Sequence, residues 1–180
     1  MESKGYNHAF HGMRTLDNET VYGIKEEKEF FESKTGVDLG AGGGTFSKIL
    51  AQYAKKLYCV DISDEAIRAM KKNLDEFADV DVVKAEENKL NFPNSSMDFV
   101  FTANSFHDLP KGYEKEISRV LNDLGTYIDF DWKKNRSLFG PPLSIRLSES
   151  EVEEKAKKVG LELVKKKDFG NHYMLIFRKQ

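Results

Sequence analysis

The segment Val37-Asp38-Leu39-Gly40-Ala41-Gly42-Gly43-Gly44 constrains this chain more than any other. A short apolar run ends in clustered glycines. Apolar residues then recur at helical spacing, at Phe46, Ile49, Leu50, Tyr53 and Ala54. A strand that turns through glycines into a helix lets the backbone bend sharply and approach a ligand closely, because no Cβ stands in the way. The competing reading, a merely flexible turn, fits this strand–helix context poorly.

Strand and helix signals alternate on both sides of the loop. A short helix is expected over 24–33, with strands at Val37–Leu39, Leu57–Val60, Val80–Val83, Met97–Phe101 and Thr126–Phe130. Met97 to Phe101 is apolar enough for a strand buried on both faces of a parallel sheet. Ser63 reads as an N-cap with Asp64 and Glu65 in the first helical turn, and Ala66, Met70, Leu74 and Phe77 form the buried stripe. Tyr113, Ile117, Val120 and Leu121 mark another helix. Ser148 caps one with the stripe Val152, Ala156 and Val159, and Gly160 ends it. Strands near Leu161–Val164 and Tyr173–Phe177 flank a connection too short for anything but an antiparallel hairpin.

Five strand–helix units and a hairpin predict an α/β fold. It is a Rossmann-like, doubly wound, seven-stranded sheet, mostly parallel, with a C-terminal antiparallel hairpin. One domain is expected over 1–180, with an N-terminal flap and helix (1–34) and a ligand-binding core (35–130). A long loop (131–147) follows, then a closing helix and hairpin (148–180). Residues 1–23 show no clear period and suit either a disordered end or a flap.

The net charge of −2 argues against a nucleic-acid partner. The N-terminus lacks the apolar stretch of a signal peptide, and no run approaches a membrane span, so a cytoplasmic protein is expected. The single cysteine, Cys59, lies in a strand and reads as a small buried hydrophobe. His8 and His11 share a segment but His107 and His172 have no partner at ligand spacing, so no metal is expected.

In open α/β sheets ligands bind beyond the carboxyl ends of the strands, where strand order reverses. Asp61 ends the second strand about 20 residues past the glycines, the offset at which a carboxylate accepts from ribose hydroxyls. Two details separate dinucleotides from other nucleoside ligands. The position of the third fingerprint glycine is Thr45, and Asp38 sits two residues before the first glycine, where its charge would repel a pyrophosphate. S-adenosylmethionine has an ammonium and a sulfonium and no phosphate, so an acid in the loop favours it.

The chain here resembles the type 11 (UbiE-like) class I methyltransferases. The resemblance rests on the Val37–Gly44 segment, Val60-Asp61-Ile62-Ser63, Glu86-Glu87-Asn88-Lys89-Leu90-Asn91-Phe92-Pro93, Ser96-Met97-Asp98-Phe99-Val100 and the helix ending Arg119-Val120-Leu121. It covers roughly residues 35–130. It implies that Asp38 and the backbone of Gly40, Ala41, Gly42 and Gly44 hold the methionine part of S-adenosylmethionine. It also implies that Asp61 holds the ribose, Ile62 packs on the adenine, Glu86 reaches the adenine amino group, Glu87 contributes backbone, and Asn104 lies near the methyl group. Asn91 departs from the family, which often has proline there.

The acceptor is expected to be a small molecule. A sulfonium methyl is already activated, so alignment supplies much of the catalysis. Asn104, His107 and Asp131 are the candidates for acting on the acceptor, with Asp108, Asp129 and Trp132 nearby. His107 suits either a base near neutral pH or a packing role. Arg146, in the 131–147 loop, suits either an anionic acceptor or an ordinary surface position. Lys165-Lys166-Lys167 reads as a guard of an edge strand. The alternatives are a non-catalytic S-adenosylmethionine-binding module, an RNA or protein methyltransferase, and an NAD-dependent oxidoreductase.

Overall fold

The structure, a computed structural model, describes residues 18–86, 89–138 and 140–180. Seven strands form one sheet: β1 (Thr35–Leu39), β2 (Lys56–Asp61), β3 (Val80–Lys84), β4 (Met97–Ala103), β5 (Leu121–Trp132), β6 (Leu161–Phe169) and β7 (His172–Lys179). Their order is β3-β2-β1-β4-β5-β7-β6. β1 to β5 are parallel, with Val37 opposite both Tyr58 and Val100. β7 runs antiparallel to β5 and to β6, which is the expected hairpin. Strand order reverses between β1 and β4, which fixes where a ligand crevice opens.

The helices are α1 (Asn18–Glu26), α2 (Ser47–Leu50), α3 (Asp64–Asn73), α4 (Tyr113–Val120) and α5 (Glu149–Lys157). Two apolar layers flank the sheet because strand side chains alternate between its faces. Phe99, Phe101, Ile128 and Phe130 face one layer, with Ile24, Phe31, Leu50 and Met70. Val100 and Tyr127 face the other, with Ile117, Val120, Val152 and Ala156. The caps are as the sequence predicts. Ser63 Oγ accepts from Ala66 N, and Ser148 with Glu151 forms a reciprocal capping box.

Four departures have physical causes. The first helix spans Asn18–Glu26, followed by a 3-10 turn at Lys28–Phe30, rather than 24–33. Gly23, a helix breaker by propensity, belongs to it: a Cβ there would come within 2.9 Å of Met174 and Phe130 side chains, so close packing on the sheet requires glycine. α2 is a single turn, and the chain continues to Ala54 through turns. Strand–helix alternation fails between β3 and β4, where the described residues of 85–96 form no helix. Arg119 of α4 holds that segment instead, donating to the carbonyls of Leu90 and Phe92, each at 2.8 Å.

Finally, Lys165 to Lys167 lie inside β6 and are paired rather than a free guard. Lys165 and Lys167 meet Glu27, which is wholly buried, while Lys166 meets Glu149. Together with the Glu19–His172 contact at 2.6 Å, they dock α1 onto the hairpin.

Candidate functional site

A cleft of about 430 Å³ opens at the carboxyl ends of β1 and β4, within the range of small-ligand sites. Gly40, Asp61, Ile62, Glu86 and Asn104, all expected at the site, line it. Sequence reasoning did not single out Leu39, Ser63, Ala85, Ser105, Leu109, Pro110 and Tyr113, which complete the lining with Asp108. Most of these are ordinary apolar or small residues, and only their convergence at one sheet end marks them. A second concavity of about 460 Å³ touches Asp98, at the amino end of β4, and Arg178. It lies at the opposite end of the strands from the glycine loop, where this topology builds no ligand crevice.

The glycine loop is fastened from below and from the side. Gly40, Gly42 and Gly44 have φ of 70°, 58° and 82°, a left-handed backbone that only glycine adopts at low cost. Asp61 Oδ2 accepts from Gly42 N at 2.8 Å, and Oδ1 accepts from Ser63 N at 2.9 Å. The carboxylate therefore ties the loop after β1 to the start of α3 while its flank faces the cleft. Asp38 is buried and absent from the cleft lining; Ser47 Oγ donates to its Oδ2 at 2.6 Å. Ala41 is also buried, and Gly44 packs against Leu74. Burial, reinforced by the Asp38 charge, pushes the Cys59 thiol up, so this wholly buried residue is a poor nucleophile.

On the far wall, Ile62 is 54% exposed, a large apolar side chain kept at the cleft with little cover. Glu86 Oε1 accepts from Asn91 Nδ2 at 3.0 Å, so the asparagine that stands in place of proline holds the acid in the cleft wall. Glu87 lies outside the described residues, as do 1–17 of the expected flap and Phe139 of the long loop.

Asn104 leaves β4 with φ of 51°, a conformation that costs a non-glycine residue energy and that asparagine tolerates better than most. Its N–H donates to Phe130 O at 2.8 Å, and Ser105 Oγ donates to Leu39 O at 3.0 Å. These bonds clamp β4 to β5 and β1 at the mouth of the cleft.

His107 and Asp131 do not line the cleft. Their side chains are 1% and 2% exposed, and His107 Nδ1 meets the Asp131 carboxylate at 2.8 Å. Burial alone would lower the imidazole pKa. The charge and hydrogen bond of Asp131, aided by Asp108, outweigh it and raise the pKa, which favours the protonated ring. Behind it, Thr102 Oγ1 donates to Asp129 Oδ1 at 2.8 Å and bonds Tyr127 Oη at 3.0 Å. Burial, then the nearby Asp131, pushes Asp129 well up toward its neutral acid form.

Arg146 is neither a free surface residue nor poised for an anion. It is 4% exposed, stacks over Trp132, and donates to the carbonyls of Pro141, Lys133 and Asn135. It closes the 133–146 loop on itself. No described residue of 131–147 is among the cleft lining.

Residues 37–128 match the family model described as a methyltransferase domain, about half of the chain. A Sulfolobus solfataricus protein assigned to the type 11 methyltransferases is 30% identical, with a TM-score of 0.75 over 92% of this chain and 95% of that one. The fold also superposes on an S-adenosylmethionine-dependent methyltransferase from Aquifex aeolicus at a TM-score of 0.82 and 24% identity, over 92% of this chain and 100% of that one. An uncharacterized chloroplastic methyltransferase of Arabidopsis thaliana is 30% identical over 114 residues, 56% of this chain and 32% of that protein. The chain spans less than half the length of the curated relatives it matches.

The cleft chemistry fits the donor of that family. Among the described residues its lining holds three carboxylates, Asp61, Glu86 and Asp108, and no lysine or arginine. Such a site repels a pyrophosphate and suits a nucleoside that carries positive charge. Sequence, topology and lining chemistry converge on one assignment: the chain belongs to the type 11 methyltransferase domain family, whose cofactor is S-adenosylmethionine.

Proposed function

We propose that the chain transfers the methyl group of S-adenosylmethionine to a small-molecule acceptor bound in the same cleft. The observation that carries this reading is the acidic cleft beside the glycine loop, at the point where strand order reverses. When bound, the donor supplies an already activated methyl on a cationic sulfur. The residues of the chain then need only hold and align. The backbone of Gly40 and Gly42 takes the amino-acid end, and Asp61 accepts from the ribose hydroxyls. Ile62 covers one face of the adenine and Glu86 accepts from its amino group. Asn104, in its left-handed conformation at the cleft, would orient the groups near the donor methyl.

Leu109, Pro110 and Tyr113 form the apolar remainder of the cleft and exclude water from the acceptor side. The described lining disfavours RNA as acceptor, because binding a phosphate backbone draws on lysine or arginine and none is among its described residues. Among the described residues no helix is long and apolar enough to cross a membrane.

The test has two arms. Calorimetric titration with S-adenosylhomocysteine measures donor-site binding, and release of S-adenosylhomocysteine from S-adenosylmethionine over a metabolite panel measures transfer. Binding with acceptor-dependent release supports the reading. Binding of NAD without binding of S-adenosylhomocysteine overturns it.

A further inference from the structure

One carboxylate of the cleft has no place in donor binding. Asp108 follows β4 on a 3-10 turn at Phe106–Asp108, and its side chain is 26% exposed at the cleft wall beside Asn104, Leu109 and Tyr113. Immediately behind it stands His107. The ring is buried, Nδ1 is taken by Asp131, and Nε2 has no hydrogen-bond partner. That Nε2 lies 3.5 Å from Asp108 Oδ2. The imidazole is thus lodged between a buried carboxylate and a cleft carboxylate. Asp131 is fixed in turn: its Oδ1 accepts from Trp132 N at 2.7 Å. The three side chains form a row, Asp131–His107–Asp108, whose outer end, Asp108, lines the cleft.

We propose that Asp108 is the acceptor-recognising residue and that the acceptor it selects bears an amine rather than a carboxylate or phosphate. His107 and Asp131 are positioning residues that hold Asp108 against the wall. The proposal rests on the methyl-transfer reading and names the acceptor class for it.

Three observations support it. Among the described residues the cleft lining offers no lysine or arginine to neutralise an anionic acceptor. Arg146, the one cation of the long loop considered for that task, is consumed by three backbone carbonyls. Asp108 also follows β4, which β1 separates from β2 and β3, the strands that carry Asp61 and lead to Glu86, where the donor lies in this reading.

The reaction needs no base in the transfer step. The lone pair of the neutral amine forms the N–C bond as the C–S bond breaks, and the electron pair of that bond passes to sulfur. Positive charge moves from sulfur to nitrogen, and the product leaves as a methylated ammonium that sheds its proton to water. A carboxylate beside the nitrogen stabilises the charge that develops there, where a neutral side chain would not.

The experiment compares matched probes on the intact chain: benzylamine and other simple primary and secondary amines, against phenylacetate and phenyl phosphate. Release of S-adenosylhomocysteine is followed for the wild type, Asp108→Asn and Asp131→Asn, and its affinity for each is measured by calorimetry. The expected result is turnover on at least one amine and none on the anions. Asp108→Asn should lower that turnover at least tenfold with S-adenosylhomocysteine affinity within about threefold of wild type. Asp131→Asn should raise the KM for the amine more than it lowers kcat, again with that affinity kept. Turnover on phenylacetate or phenyl phosphate overturns the proposal. So does amine turnover unchanged in Asp108→Asn, or no turnover on any amine by a protein that binds S-adenosylhomocysteine. Failure to bind S-adenosylhomocysteine at all overturns the methyl-transfer reading instead.

Discussion

Asp61→Ala is the most informative single change, because the structure gives that carboxylate two tasks. It accepts the N–H of Gly42 at 2.8 Å and that of Ser63 at 2.9 Å, and it also faces the cleft. A hydrogen bond to a charged group contributes about 1.5–3 kcal/mol when removed from water. Asp61 is only half-buried, and water replaces part of what is lost. We therefore expect the two backbone bonds together to stabilise the fold by about 2 kcal/mol. Loss of the ribose contacts should weaken S-adenosylhomocysteine by a further 1–3 kcal/mol, about 5- to 150-fold in Kd. Urea unfolding measures the first effect and calorimetric titration of folded protein the second. Asp61→Asn keeps one acceptor oxygen and presents an amide to the other N–H, so it should fall between wild type and alanine in stability. A folded Asp61→Ala that binds S-adenosylhomocysteine as wild type does would refute the ribose assignment. An unchanged urea midpoint would refute the loop-fastening argument.

Gly42→Val should abolish donor binding while far-ultraviolet circular dichroism stays native, since a β-branched residue at φ of 58° distorts the loop alone; retained binding would show that the loop does not touch the donor. Arg146→Ala should lower stability by about 1–3 kcal/mol in urea unfolding, because the buried carbonyl of Pro141 and the part-buried carbonyls of Lys133 and Asn135 lose their donor; an unchanged midpoint would contradict that account. The raised folded pKa of His107 carries a pH signature of definite sign. Its contribution to stability is fully present below the unfolded value of 6.5 and is lost as pH rises through the folded value. The urea midpoint of wild type should therefore fall more steeply as pH rises above 6.5 than that of His107→Gln, and parallel slopes would mean that the fold does not raise the proton affinity of the ring.

The sequence by itself determined the class of fold and the end of the sheet at which a ligand sits. Both follow from local signals: apolar runs of strand length, helical stripes, the caps at Ser63 and Ser148, and glycines placed where a strand must turn into a helix. Asp61 and Asn104 were legible as cleft residues because one ends a strand and the other follows one, and strand ends define the crevice, whereas Ile62 and Glu86 were implied by the family resemblance. What a given side chain touches there was decided by tertiary structure alone. Asp38 has the charge expected of a donor-binding residue, but its strand position points it beneath the loop to Ser47. His107 has the chemistry of a base, but alternation along β5 sets Asp131 against it in a buried pair. Arg146 has an unremarkable sequence context and becomes the centre of a loop only because three carbonyls converge on it. Gly23 is a helix breaker by propensity, and only the sheet packed against it shows that a larger residue there would displace Met174 and Phe130. Composition and spacing report which element a residue joins. Pairing between residues far apart in the chain depends on how the elements pack, and no local pattern encodes it.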